Sequence, residues 1–243
     1  MNLEIATHCW HYSRPLIFQL SSLFLYPPHR LSVTMTVFFT ETDSRTVEVL
    51  RFFATQAAPA NVNLRPWVLP ADLVTRRMIG RNLAALATKG DWIWFADCDY
   101  VFREGCLDSL ASLVLANETP LFFPRHVQIS NSHSAGDREL QRVCSEVSLA
   151  DITPQDYVQQ TYNRAIGGIQ IARAEVAREK GYCRDSRYHQ CPSSEWVPTR
   201  DDVWFRRSLG TQGTPIEIPN LYRIRHSVRG GAIVDGTLPI TSE

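Results

Sequence analysis

Asp97 and Asp99 stand two residues apart at the end of the apolar run WIWFA (92–96). In a strand, residues two apart project to the same side. The spacing therefore predicts two carboxylates aimed together from the carboxyl end of a buried central strand, the edge where open α/β sheets bind ligands. Two such carboxylates either repel or share a cation, and an all-oxygen pair selects Mg²⁺ or Mn²⁺. That cation would bridge two phosphate oxygens and neutralise charge as a sugar–phosphate bond breaks. A D-x-D also arises by chance, and an Asp at a strand end often caps a helix, so the reading rests on what surrounds the pair.

The elements that must position the pair alternate. Met1–Cys9 predicts a strand and Arg14–Leu25 a helix with Leu16, Leu20, Leu23 and Phe24 turned inward. Ser32–Thr40 is rich in β-branched and aromatic residues, and Asp43 and Ser44 can cap a following helix that reaches Gln56 and buries Val47, Leu50 and Ala54. A third strand spans Asn63–Leu69. A helix over Arg76–Lys89 then carries the stripe Ile79, Leu83, Leu86 and is stopped by Gly90. Asp91–Phe102 reads as one central strand covered on both faces. Gly105–Ala116 reads as a helix and Leu121–Ile129 as a strand, while Ser130–Asp156 and Arg184–Pro198 read as loops. Strand and helix in alternation predict an α/β fold with a doubly wound, mostly parallel sheet flanked by helices.

The chain of 243 residues, 44% hydrophobic, suffices to bury the core of one such domain. Its formal net charge of +0 supplies no global field toward nucleic acid, so a phosphate-bearing ligand must be held locally. The cysteines at 9, 98, 106, 144, 183 and 191 have neither CxxC spacing nor the density of a disulfide scaffold, which points to a reducing, cytoplasmic setting. Cys183, Cys191 and His189 suggest zinc only by composition, because their spacing matches no familiar site. Pro15–Tyr26 is too short to span a bilayer and lacks signal-peptide features.

The segment GRNLAALATKGDWIWFADCDYVF (80–102) resembles the helix, turn and strand that lead into the DxD motif of the family 2 glycosyltransferases and related inverting GT-A enzymes. TETDS (40–44) is similar to that family's acidic nucleoside-binding loop. AIGGIQIAR (165–173) with GY (181–182), and TRDDVWFRR (199–207) with its acidic pair, complete the likeness in order over residues 1–227. The resemblance implies a GT-A catalytic domain over 1–227, its nucleotide-sugar-binding half at 1–104 and its acceptor-binding half at 105–227, with a tail at 228–243. It implies transfer from a UDP- or GDP-sugar to a glycan, lipid-linked or protein acceptor, with inversion. A lipid-linked acceptor would bring the chain to a membrane face.

Carried over by residue, the resemblance places Thr7 and Glu41 at the nucleoside, Asp97 on the ribose and metal, and Asp99 directly on Mn²⁺ or Mg²⁺. His226, in YRIRHS (222–227), is similar to a histidine with which some GT-A enzymes complete the metal site, and imidazole suits Mn²⁺ better than Mg²⁺. Inverting transfer needs a carboxylate near the acceptor hydroxyl to take its proton. Asp201 and Asp202 are the candidates, Asp202 being the family's base position, and adjacent carboxylates can raise one another's pKa when desolvated. The family usually has Glu where Asp201 stands, and the pair also suits a cap for a helix starting near Val203.

Arg77 and Arg81, one helical turn apart, can both face the donor, although Arg77 equally suits a solvated face. Arg223 and Arg225 alternate along a late strand and can screen a leaving diphosphate. Gly167 and Gly168, without Cβ atoms, allow close approach to a sugar or simply make a turn. Trp196 and Trp204 can form a platform for an acceptor sugar, and His8 lines a pocket or sits in the interior. A nucleotidyltransferase would need a glycine-rich loop after the first strand, and THCWHYSRP (7–15) has no glycine. A non-catalytic nucleotide-sugar-binding module is the remaining alternative.

Overall fold

The computed structural model describes residues 1–113, 119–143, 145–196 and 199–227. The expected tail at 228–243, the end of the helix predicted over Gly105–Ala116, and Cys144 lie wholly or partly outside the described residues. The first half runs β1 (Asn2–His8), α1 (Ser13–Leu25), β2 (Ser32–Phe39), α2 (Ser44–Thr55), β3 (Val62–Val68), α3 (Ala71–Val74), α4 (Arg77–Ala87) and β4 (Trp92–Phe95). The second half runs β5 (Tyr100–Phe102), α5 (Cys106–Leu113), β6 (Leu121–Pro124), β7 (His126–Ser130), α6 (His133–Gln141), β8 (Tyr157–Thr161) and β9 (Gln170–Arg173). It ends with α7 (Ala174–Lys180), α8 (Arg187–Gln190), α9 (Asp201–Ser208), β10 (Thr214–Ile216) and β11 (Leu221–Arg223).

Local chemistry accounts for these elements. The Asp43 carboxylate accepts from the Thr46 N–H at 3.2 Å and so caps α2 as its position predicts. Helix α1 is buried from Ser13 to Leu23, which explains why its sequence is apolar on more than one face. Two predicted core positions are wrong: Leu86 is 42% exposed and Ala54 is exposed. The inward face of α4 is instead Met78, Ile79, Gly80, Arg81, Ala84 and Ala85. The apolar stripe is displaced because one inward position is held by a paired arginine.

The main sheet has seven strands in the order β10-β6-β9-β4-β1-β2-β3. β4, β1, β2 and β3 run parallel in succession, and β9 lies antiparallel between β4 and β6. The expected mostly parallel sheet flanked by helices is therefore present. A second sheet, β5-β11-β7-β8, was not foreseen.

The second sheet exposes two errors of the same kind. Asp91–Phe102 is not one strand: β4 ends at Phe95 in the main sheet, and β5 begins at Tyr100 in the second. Leu121–Ile129 likewise divides at Arg125 into β6 and β7, one in each sheet. β10 and β11 also fall one in each sheet. A continuous apolar run carries no period that marks where a chain leaves one buried sheet for another. The polar stretch Ser130–Asp156 also contains α6, capped by the Ser132 hydroxyl at 3.1 Å from the Ala135 N–H, and Arg184–Pro198 contains α8. Both helices are short and bury few side chains, so neither has a clear apolar period.

Candidate functional site

The first break between the sheets builds the site. Asp97, Cys98 and Asp99 occupy the turn between β4 and β5, so strand alternation does not orient them. Other elements do. The Gln19 amide of α1 donates to the Asp97 carbonyl at 2.8 Å, and the Ile224 N–H donates to the Asp99 carbonyl at 2.9 Å. On the side chains, Arg81 Nη2 meets Asp97 Oδ1 at 2.8 Å, Arg77 Nη1 approaches the same oxygen at 3.4 Å, and Arg223 Nε donates to Asp99 Oδ2 at 2.9 Å.

The same arginines reach α9. Arg81 Nη1 lies 3.1 Å from Asp201 Oδ2, and Arg77 Nη2 lies 3.0 Å from Asp201 Oδ1. Thr199 Oγ1 donates to Asp201 Oδ1 at 2.8 Å, and the Tyr182 hydroxyl sits 3.2 Å from Oδ2. Tyr182 packs between Phe95 and Phe205, with ring centroids at 4.6 and 4.5 Å, which fixes α9 against β4. Asp201 also lies in the first turn of α9, where the helix dipole favours negative charge.

Burial alone would raise the Asp201 pKa, but the charges of Arg77 and Arg81 outweigh it and hold the carboxyl well below the usual carboxylate range. Asp97 is lowered by the same balance of burial against Arg77 and Arg81. The expectation that adjacency to Asp202 raises a pKa thus fails for Asp201, because two guanidinium groups are closer in effect than one neighbouring carboxylate. Both Asp201 oxygens are engaged, so it organises the site and is in no position to take a substrate proton. Asp202 pairs with Arg206, its Oδ2 lying 2.8 Å from Nη1.

A cavity of about 640 Å³ opens beside the aspartate turn, within the roughly 300–1,000 Å³ typical of small-molecule sites. His8, Trp10, Tyr12, Arg77, Asp97 and Asp99 line one wall. His133, Gln160, Arg223, Arg225 and His226 line the other, and Trp196 also contributes. Of the residues singled out in the sequence, Asp97, Asp99, Arg77, His226 and Trp196 are brought together around this cavity, whereas Asp201, Asp202 and Arg81 are not among the lining residues. Nor are Thr7 and Glu41: Thr7 is buried in β1, and Glu41 is exposed in the turn after β2. In that acidic segment it is Asp43 that shapes the site, accepting from the His11 N–H at 2.7 Å and fixing the loop that carries Trp10 and Tyr12. Trp204, 49% exposed, lies edge-on to His189 and away from the cavity.

Gly167 and Gly168 do not line the cavity either. A Cβ on Gly168 would come within 2.6 Å of the Tyr100 ring and 2.7 Å of the Asp97 nitrogen. Gly167 has φ +41 and a Cβ there would lie 3.8 Å from Asp97 Oδ2. The pair lets a backbone turn pack under the aspartates. Gly168→Ala is expected to cost about 1–3 kcal/mol by overpacking, read as a shifted urea midpoint; an unchanged midpoint would remove this account.

His8 had no spacing signal, yet it lines the cavity and stacks on Phe38 at 4.8 Å. Its Nε2 has no hydrogen-bond partner among the described residues, and a Cβ on Gly80 would lie 2.1 Å from it. Burial, then the charges of Arg81 and Arg77, push its pKa well below the ordinary 6.5. The unfolded chain therefore binds a proton below about pH 6.5 that the folded chain refuses, and this contribution to stability declines as pH falls from 7 to 5. His8→Asn should flatten that part of the stability–pH curve; an equal slope in both proteins would sink the assignment.

Among the described residues, no three of His, Cys, Asp and Glu stand close enough to share a metal ion. His226 packs against Tyr12, ring centroids 5.3 Å apart, and does not complete a three-ligand set with the aspartates. Cys183, Cys191 and His189 form no such set either. A cation shared with a substrate still fits the aspartates: Asp99 Oδ1 is buried and accepts no hydrogen bond, and both arginine contacts of Asp97 fall on Oδ1. Mg²⁺ commonly binds in this way, through one or two carboxylates and the oxygens of substrate phosphates.

The fold is of the GT-A type, a large and mostly parallel sheet flanked by helices. Solved structures of S. aureus TarS share it. TarS 1-349 in complex with UDP-GlcNAc matches with a TM-score of 0.59 and 11% identity, over 97% of this chain and 62% of that one. A second crystal structure of TarS 1-349 matches with a TM-score of 0.54 and 12% identity, over 92% of this chain and 60% of that one. This chain thus spans only 60–62% of the TarS 1-349 chains. No protein-family model and no curated protein sequence matches it. Among the described residues, no helix is long and apolar enough to cross a membrane.

Proposed function

We propose that the chain is a glycosyltransferase that moves a sugar from a nucleotide diphosphate donor, a UDP- or GDP-sugar, to an acceptor hydroxyl with inversion. The observation that carries this reading is the cavity containing Asp97, Asp99, Arg77 and Trp196, set at a sheet edge in a fold that in TarS is solved with UDP-GlcNAc. Mn²⁺ or Mg²⁺ held by Asp99 and Asp97 would offset the charge that develops on the leaving diphosphate. Arg77 and Arg81 keep Asp97 ionised for that role, and the Trp196 ring offers a face to a sugar.

Proton removal from the acceptor falls to Asp202 in this proposal, since Asp201 is fully engaged. Asp202→Asn should lower the transfer rate by about 10²–10⁴-fold with donor affinity unchanged; transfer at the wild-type rate would assign the base elsewhere. The broader proposal is tested by release of free diphosphate from a panel of nucleotide sugars with Mn²⁺. If the chain neither binds nor turns over any UDP- or GDP-sugar, the proposal is wrong. The Asp202–Arg206 ion pair, which engages one oxygen of the proposed base outside the cavity lining, favours a second reading as a non-catalytic binding module. Metal-independent binding without turnover in a calorimetric titration would select it.

A further inference from the structure

The second sheet has two faces, and the cavity described above uses one of them. Gln160 of β8 and Arg223 of β11 line that cavity. Gln159, the preceding residue of β8, projects to the opposite face, together with Gln128, its partner in the β7–β8 register. On that opposite face a separate cavity of about 270 Å³ opens beside the turn from β10 to β11. Among the described residues, none lines both cavities. The second is smaller than the roughly 300–1,000 Å³ of typical small-molecule sites, which limits its ligand to about one ring.

Its walls are held in place. Gln159 Nε2 and Thr161 Oγ1 each lie 3.1 Å from His126 Nδ1, and Glu217 Oε1 lies 3.7 Å from His126 Nε2. On the other side Asn220, at φ 54, donates through Nδ2 to the Glu104 carbonyl at 2.8 Å, and its own carbonyl accepts from the Arg103 N–H at 3.0 Å. Walls ordered before a ligand arrives lower the cost of binding it. The side-chain amide of half-buried Gln128 makes no hydrogen bond among the described residues and is free to meet a ligand.

The lining also selects a chemistry. Two carboxamides and an imidazole offer donors and acceptors side by side, and Glu217 adds a carboxylate that accepts. Among the described residues, no arginine or lysine lines this cavity, so nothing there balances an anion against Glu217. Hydroxyl groups, which donate and accept at once, match this set. Pro219 and its neighbours add apolar surface for ring C–H groups. We infer that this cavity is a second binding site, for one neutral sugar unit, on the face of the sheet turned away from the first cavity. A glycan anchored there is kept at high local concentration without filling the first cavity. That use rests on the transferase reading above; the binding itself does not.

Glucose, galactose, mannose and N-acetylglucosamine are titrated in turn into the isotope-labelled full chain, with and without UDP and Mg²⁺, while the side-chain amide signals of Gln128 and Gln159 are followed by NMR. At least one sugar should shift both signals, with a Kd on the order of 1 mM, whether or not UDP is present. Gln128→Leu should weaken that sugar about fivefold, the loss of one hydrogen bond, with UDP affinity and the thermal midpoint unchanged. Gln159→Leu, on the exposed side of an edge strand, should weaken it in the same direction and carries the test if Gln128→Leu fails to fold. If no sugar shifts either amide at about 100 mM, if UDP abolishes the shifts, or if glucuronate binds more tightly than glucose, the inference is overturned. A chain that binds a sugar through Gln128 but never binds UDP would sink the proposed transferase and leave this site standing.

Discussion

Asp99→Asn is expected to lower donor turnover by about 10²–10³-fold, the several kcal/mol that a cation contributes to stabilising developing charge. The substitution keeps the shape of the side chain, and the backbone carbonyl still accepts from the Ile224 N–H, so the turn should persist. What changes is charge. Asp99 Oδ1 is buried without a partner, a position that costs free energy unless something binds there. In Asn, an uncharged amide occupies that place and attracts a divalent cation weakly. Chelation of Mn²⁺ or Mg²⁺ should reproduce the loss in the wild type and add little in the variant. Full turnover by Asp99→Asn, or wild-type turnover after chelation, would refute the cation's role.

This expectation began with a D-x-D spacing; both residues line the cavity, but not by the geometry that the spacing implied. The alternation rule applies to a strand, and Asp97 and Asp99 lie where β4 has ended. Their convergence comes from three distant groups, Arg77, Arg81 and Arg223, and distant pairing leaves no local period. The parallel strands β1 to β3 and the start of β4 were legible because each is a β-rich run next to a segment with helical apolar spacing. The second sheet was not, since β5 and β7 lie inside apolar runs read as single strands of the first, and β8 (YVQQT) buries only its first residue and so carries no apolar alternation. His8 could be read only as pocket-lining or interior, and Tyr182 was given no role, for a related reason: a single polar group among apolar residues acquires a role only from what folds against it.

Arg81 illustrates the same point, and replacing it should have the largest effect on stability. Its side chain is wholly buried, as is that of Asp201. Arg81→Met leaves Asp97 with only the 3.4 Å contact from Arg77 and removes one of two guanidinium partners from Asp201. Breaking a buried pair in this way costs about 3–5 kcal/mol. Arg81→Lys should not restore it, because one ammonium cannot present two nitrogens to Asp97 and Asp201 together. The pH dependence has a fixed sign. Asp97 and Asp201 are lowered from an ordinary 3.8, so the stability they contribute is present above about pH 4 and is lost as pH falls through their folded values. Arg81→Met should therefore be much less stable than wild type in urea at pH 7, and the difference should begin to shrink below about pH 4, where the carboxylates protonate in the folded variant before they do in the folded wild type. A difference under about 1 kcal/mol at pH 7 would mean that Arg77 alone satisfies both aspartates, since exposed pairs contribute no more than that.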